Sequence, residues 1–586
     1  MAMHNLAEFN NAVKKYKRLL RSAKGNVLIF GLIPKREAFF SLAPLSMALH
    51  DLGHDVHASL SSSEKSNLKI LERIWRAYEE NGREGKLLRE FISCVEKKDA
   101  AKGFSNIFKR PGTKIEMKEE GFVVNGKNIL PYNGKWFRRY DVKKVKETCR
   151  KIVNECYALK KAERFSISFA LVPCRNMLEL PLEDYLDSFA IAYHTAEEAR
   201  RHCIVTMSAS TQRKSKLEMP EPIAELAATI SACEYEKDIK EKPFQIFKKI
   251  SKLLKINEWR YNDASFSIVG KGYHGKHIFG IAIGYPSADR KTRWASPGQM
   301  FLKPWWHEQT WIDKRKPMTR VAITETIPIE EFVQCCNVDY AAMRARDIKI
   351  KKILEKSTRL VVEGKCEKGL CTRLVVDLGK GKRKCFVQRS DSDVRRKIDA
   401  EVFKRFGILS GMYDNIPGGE VFFTPKKISG TAIGDVVINI DRSYVLNEKR
   451  PLVLKFSGKN WEILRAEPLI KRRIKEELSD ARKLIKKYEK NKSLPKKIIA
   501  TYKKNFFGVG EFAINTNTKA KLSRYLIVNE KLAKMIHIAL GSGFEPGTQT
   551  LYHWDFVINV PRQRISIRAI GKGFERFIIK EGSLVV

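Results

Sequence analysis

The chain has 586 residues, with 111 Lys and Arg against 67 Asp and Glu, giving a formal net charge of +44. Hydrophobic residues make up 43% and aromatics 10%, which excludes disorder as a description of the whole chain, since disordered chains combine high charge with few aromatics. A surplus of this size fits a nucleic acid, an anionic membrane face or an acidic partner, or else a lineage that uses lysine everywhere.

The length corresponds to roughly three or four average domains. No run approaches the roughly 20 apolar residues needed to span a bilayer. Residues 1–21 alternate charge with short apolar groups, so neither a leader nor a membrane anchor is expected and the location expected is cytoplasmic. Eleven cysteines lie scattered from Cys94 to Cys385 without a CxxC pair, so no disulfide framework is expected. Cys366 and Cys371 frame a turn-like stretch and read as ordinary thiols rather than a zinc clip.

In chain order, residues 6–20 predict an amphipathic helix, 26–30 a buried strand and 40–52 a second helix, with an extended segment after Gly53. This alternation is the pattern of an α/β layer. The loop after Phe30 lacks GxGxxG, so a dinucleotide site is not supported. Residues 119–131 predict a hairpin around Asn125-Gly126, and 265–315 are dense in glycine and aromatics, including Trp305, Trp306 and Trp311. A strand at 320–323, a helix over 329–354 and a strand at 359–362 follow. Strand-like runs then continue to the C-terminus, interrupted by a basic helical stretch over 467–497. A domain boundary is placed near residue 355, giving a domain 1–355 and a domain 356–586.

Two motifs are set aside. The Gly270 to His277 stretch carries His277 where a Walker A loop needs Ser or Thr, and it leads into strand-like alternation where a P-loop needs a helix. His307-Glu308 opens like HExxH but meets Trp311 at the fifth position. The 467–497 stretch, with Arg472-Arg473, Lys486-Lys487 and Lys496-Lys497, reads as a solvated helix face or a nucleic-acid contact.

Metal-ligating residue types concentrate late in the chain. Residues 552–557 predict a strand, which puts His553 and Asp555 on one face and Trp554 and Phe556 on the other. Residues 528–540 predict a helix whose apolar stripe opposes Glu530 and His537. Glu420 and Glu511 each follow a glycine turn at a strand start, where a loop can present a ligand beside a sheet. Four carboxylates and two imidazoles suit two divalent ions, and a donor set of oxygen and nitrogen without thiolate favours zinc, cobalt or manganese.

Four segments in order, IPGGE ending at Glu420 with VFFTP after it, GEFAINTN from Gly510, NEKLAKMIHIALG from Asn529 and YHWDFV from Tyr552, resemble the thermophilic-type metallo-aminopeptidases, the family of aminopeptidases T and S. Residues 338–343 are similar to the helix before that family's catalytic domain. The resemblance covers about residues 318–586, with the basic stretch at about 465–500 as an insertion. It implies an N-terminal α/β domain enlarged by insertions, with about 61–315 outside the resemblance, followed by a β-rich α+β catalytic domain. It further implies a homodimer, and a metal pair held by Glu420, Glu511, Glu530, His537, His553 and Asp555, with Glu511 bridging. The implied reaction is hydrolysis of the N-terminal peptide bond of a peptide substrate, with hydroxide generated by the metals and a nearby carboxylate passing the proton to the leaving amine.

The family's metal-site Tyr is replaced here by Phe544. A phenyl ring cannot donate to an oxyanion, a loss of about two to four kcal/mol. Tyr552 and Tyr525 are the candidates to substitute, so Glu511 and Tyr552 are the expected catalytic residues. The alternative is a weakened or inactive peptidase scaffold that serves as a basic nucleic-acid or ribonucleoprotein-binding protein. A third possibility is iron in the same ligand set, for a ring-opening oxygenase on a shared scaffold.

Overall fold

The computed structural model describes residues 3–25, 27–54, 56–62, 113–124, 126–129, 131, 135–156, 162–172, 182–211, 256–262, 265–270, 277–283, 319–323, 327–365, 371–393, 413–440, 442–490, 496–543, 545, 547–548 and 550–586. Among these, the chain mixes helices with parallel and antiparallel sheets. It divides into two compact units, with the main break between Glu330 and Glu331.

In the first unit, the Val27–Leu32 strand pairs in parallel with Val56–Ser61 and with Thr113–Lys118. The Ala162–Val172 strand pairs in parallel with Ile204–Thr211 and His277–Ile283. The helix Leu6–Leu19 forms because Asn5 caps it, accepting from the Glu8 N–H, and because Phe9, Ala12, Val13 and Tyr16 fall on one buried stripe. The expected hairpin closes between Gly121–Val124 and Lys127–Ile129.

The second unit holds two antiparallel sheets. One runs in the order Asn460–Arg465, Leu452–Gly458, Lys427–Gly434, Arg373–Asp377, Ser357–Glu363, Ser566–Gly571, Phe574–Lys580, Ser583–Leu584. The other runs Gln388–Ser390, Glu420–Phe423, Val509–Asn515, Met535–Gly541, His553–Asn559, Val437–Asn439, Ser443–Val445. Every residue of its Val509–Asn515 and Met535–Gly541 strands is buried, so these strands are covered on both faces.

Three expectations change. The helix expected over 329–354 is two helices, Ile329–Cys336 and Tyr340–Lys356, because the Asp339 carboxylate accepts from the Ala342 N–H at 2.9 Å and starts a new helix. The boundary falls at 330 rather than 355, since Tyr340–Lys356 packs on the Glu420 strand and on Ser357–Glu363. Cys371 is disulfide-bonded rather than an ordinary thiol. The basic stretch is helical as expected, over Pro468–Lys490 and again over Lys496–Lys504. The 271–276 part of the glycine motif and residues 305–311 lie outside the described residues.

Candidate metal centre

The second sheet brings the ligand candidates together through register. Glu420 stands opposite Asn515, Ala513 opposite His537 and Glu511 opposite Ala539, and Ala539 opposite Asp555 with Gly541 opposite His553. Side chains alternate across a strand, so Glu420, Glu511, Asn515, His537, His553 and Asp555 share one face. The glycines before the two glutamates are there for space. A Cβ on Gly419, whose φ is +124°, would lie 2.7 Å from the Asn517 backbone nitrogen, and one on Gly510 would lie 1.9 Å from the Ser542 carbonyl oxygen.

Two groups form, Glu420 with Glu511 and His537, and Glu511 with His553 and Asp555. Within each, the ligand atoms lie within 4.8 Å of one another. Glu511 is common to both: its Oε1 is 3.3 Å from His537 Nε2 and its Oε2 is 3.6 Å from His553 Nε2. Each imidazole is oriented from behind. His537 Nδ1 is 2.9 Å from Asn515 Oδ1, and Asn515 Nδ2 in turn donates to the Asn529 carbonyl at 3.1 Å. His553 Nδ1 donates to the Ser542 carbonyl at 2.7 Å. Both Nε2 atoms therefore face the carboxylates, the arrangement that outer hydrogen bonds impose on metal-bound histidines.

The electrostatics are those of a crowded buried cluster. Burial pushes the Glu420 carboxyl up to about 8, although the Lys531 and His537 charges pull the other way. Burial disfavours charged His537, yet the Glu511 hydrogen bond and charge outweigh it and raise His537 to about 9. His553 is raised to about 9 in the same way, by the Asp555 charge against burial. Among the described residues, Glu420 Oε2 and Asp555 Oδ1 are buried with no well-formed hydrogen bond, and each faces an imidazole, His537 Nε2 at 3.5 Å and His553 Nε2 at 3.2 Å. Buried carboxylate oxygens in that state call for a cation. The donor set is oxygen and nitrogen alone, as zinc, cobalt and manganese accept.

Five of the six expected ligands thus converge, while Glu530 arrives differently. Residues 528–540 are not one helix. A short helix, Leu526–Asn529, ends at Glu530, and His537 lies on the strand Met535–Gly541. The apolar run at 535–540 satisfies both periods, and pairing with the neighbouring strands on either side selects the extended one. Glu530 Oε1 lies 3.0 Å from the Lys531 ammonium. Tyr552 does not serve the centre: its hydroxyl donates to the Phe506 carbonyl and its ring stacks on Trp554, on the far face from His553 and Asp555. Tyr525 is buried at the start of the Leu526–Asn529 helix, beneath the Arg524 guanidinium. Phe544 lies outside the described residues.

Lys531, Asn515 and Ser542 escape sequence reasoning. Lys531 follows Glu530 directly and Asn515 lies four residues after Glu511 on the same strand, but neither is a usual metal ligand, so residue type alone does not mark them. No protein-family model matches the sequence, and a search of curated proteins returns no significant match.

Proposed function

We propose that the protein is a two-metal aminopeptidase, a hydrolase that removes the N-terminal residue of peptides. The observation that carries this reading is the division of Glu511 between two ligand groups, one oxygen toward His537 and the other toward His553. The four segments that resemble the metallo-aminopeptidases support it, since they contain these same residues.

Glu420, Glu511 and His537 would hold one ion, and Glu511, His553 and Asp555 the other. When bound, zinc, cobalt or manganese would supply Lewis acidity and a hydroxide nucleophile near neutral pH. Asn515 and Ser542 keep both Nε2 atoms turned inward. Burial of the whole face keeps bulk water away and strengthens every charge interaction there. Glu530, the carboxylate left outside both groups, is assigned the transfer of the proton to the leaving amine.

The test is turnover of aminoacyl-anilides and short peptides by purified protein with added zinc, cobalt or manganese, together with metal content by mass spectrometry. Release of the N-terminal residue with two ions per chain is expected. No turnover combined with no retained metal overturns the proposal.

A second reading, a basic protein that contacts nucleic acid, draws on the helix Pro468–Lys490. Its exposed face carries Lys471, Arg472, Lys475, Arg482, Lys483, Lys486 and Lys490.

A further inference from the structure

Lys531 is only 1% exposed, and its Nζ lies 2.5 Å from Glu420 Oε1 and 3.0 Å from Glu530 Oε1. A buried ammonium persists only where carboxylates compensate for its lost hydration. The arrangement also acts back on Glu420. Its Oε1 is taken by Lys531, while Oε2 faces His537 Nε2 at 3.5 Å and, among the described residues, is buried with no well-formed hydrogen bond. The other group has no such clamp. Among the described residues, the ion-pair partners of Glu511 and Asp555 are the two histidines.

We infer that Lys531 is a positioning residue that makes the two halves of the centre unequal. It restricts Glu420 to one ligand oxygen and sets a fixed positive charge against the Glu420, Glu511 and His537 half. A divalent cation then fills the Glu511, His553 and Asp555 half first. This deepens the two-metal reading above and rests on it. Lys531 also sets the charge of the filled centre. Four carboxylates and one ammonium leave three negative charges. Two divalent ions overshoot that by one, which is the charge of a single hydroxide. Without Lys531 the filled centre would already be neutral and would have less reason to hold an anion.

The experiment is a titration of metal-free full-length protein with cobalt(II), followed by calorimetry and by the visible absorption of the bound ion, which reports coordination number. The unaltered protein is expected to bind in two steps, the second at least about tenfold weaker, because a unit charge close to a divalent ion at intermediate dielectric outweighs that factor. Lys531→Met should tighten the second step about tenfold, and Asp555→Asn should remove the first. Since Lys531→Met strands two carboxylates in the metal-free protein, the double variant Lys531→Met/Glu530→Gln is titrated beside it, with circular dichroism as the check on folding. Two equal steps in the unaltered protein overturn the inference and leave the two-metal reading standing. So does a second step unchanged in both folded variants, because Lys531 would then be structural only. Absence of any cobalt binding overturns the two-metal reading and this inference with it. If neither variant folds, two equal steps in the unaltered protein still overturn the inference.

Discussion

At the scale of single residues, the centre depends as much on groups that would never touch a metal as on the ligands. Asn515 is fixed by donating to the Asn529 carbonyl, which leaves its oxygen for His537 Nδ1. Asn515→Ala frees the imidazole to rotate, and a lost outer hydrogen bond of this kind lowers metal affinity about 10–100-fold. Competition with a chelator measures it, and the loss should appear in the half that contains His537. An unchanged affinity would mean that the strand alone orients that ring. Gly510 has a different task. A methyl group there meets the Ser542 carbonyl oxygen at 1.9 Å, and that oxygen accepts from His553 Nδ1. Gly510→Ala must therefore move the backbone that aims His553. A cost of about 2–4 kcal/mol to folding is expected, in the range of backbone clashes and core overpacking. The melting temperature should fall even with metal absent, which separates this clash from simple ligand loss.

At the scale of elements, the sequence is legible wherever one periodicity stands alone. Strict alternation at 552–557 shows His553 and Asp555 together, and the glycines before Glu420 and Glu511 mark strand starts that the fold keeps. Residues 528–540 fail as a single helix because the apolar run from Met535 to Leu540 fits a strand as well as a helical stripe. The choice is made by long-range pairing, and a local pattern cannot contain that. The same limit hides the ion network in the first unit. Arg138 pairs with Asp187 at 2.7 Å and with Glu330, His4 Nε2 lies 2.8 Å from Asp187, and the Ile329 N–H donates to Asp187 at 2.9 Å. These residues come from four distant stretches, so nothing local announces them. Burial pushes Asp187 up, but the His4 and Arg138 hydrogen bonds outweigh it and hold its carboxyl below the usual range. A depressed carboxyl contributes stability above its unfolded pKa of about 3.9 and loses it as pH falls through the lower folded value. Asp187→Ala leaves the buried Arg138 guanidinium, among the described residues, with Glu330 as its remaining carboxylate partner, a cost of about 3–5 kcal/mol near neutrality. That deficit should shrink as the solution is taken from pH 5 toward pH 2, and denaturant titrations at each pH measure it. A deficit independent of pH would show that packing, not charge, is what the substitution removes.

At the scale of the whole molecule, the surplus charge and the candidate centre pull toward different partners, and ionic strength separates them. Residues 468–504 hold fourteen Lys or Arg against four Asp or Glu, so ten of the forty-four surplus charges fall in this short stretch and the rest are spread along the chain. A surface of that kind attracts any polyanion through counterion release, with log affinity falling by about 0.9 per phosphate contact for each unit of log salt. The carboxylate and histidine cluster is buried, and pairs so placed are screened far less than exposed ones. Raising salt from about 50 to 200 mM should therefore weaken duplex DNA binding by orders of magnitude. Hydrolysis of an uncharged-side-chain aminoacyl-anilide should stay within about twofold, because the centre does not share that screening. Replacing Lys471, Arg472 and Lys475 with serine should lower the salt slope by up to about three and leave hydrolysis untouched. Fluorescence polarisation of labelled DNA gives the slope, and initial rates on the same salt series give the other half of the comparison. If hydrolysis fell in step with DNA binding, the basic helix would be part of substrate capture and the charge would belong to the function after all. If the slope survived the triple replacement, the contact would lie on the remaining surface, and the basic helix would owe its lysines to solvation alone.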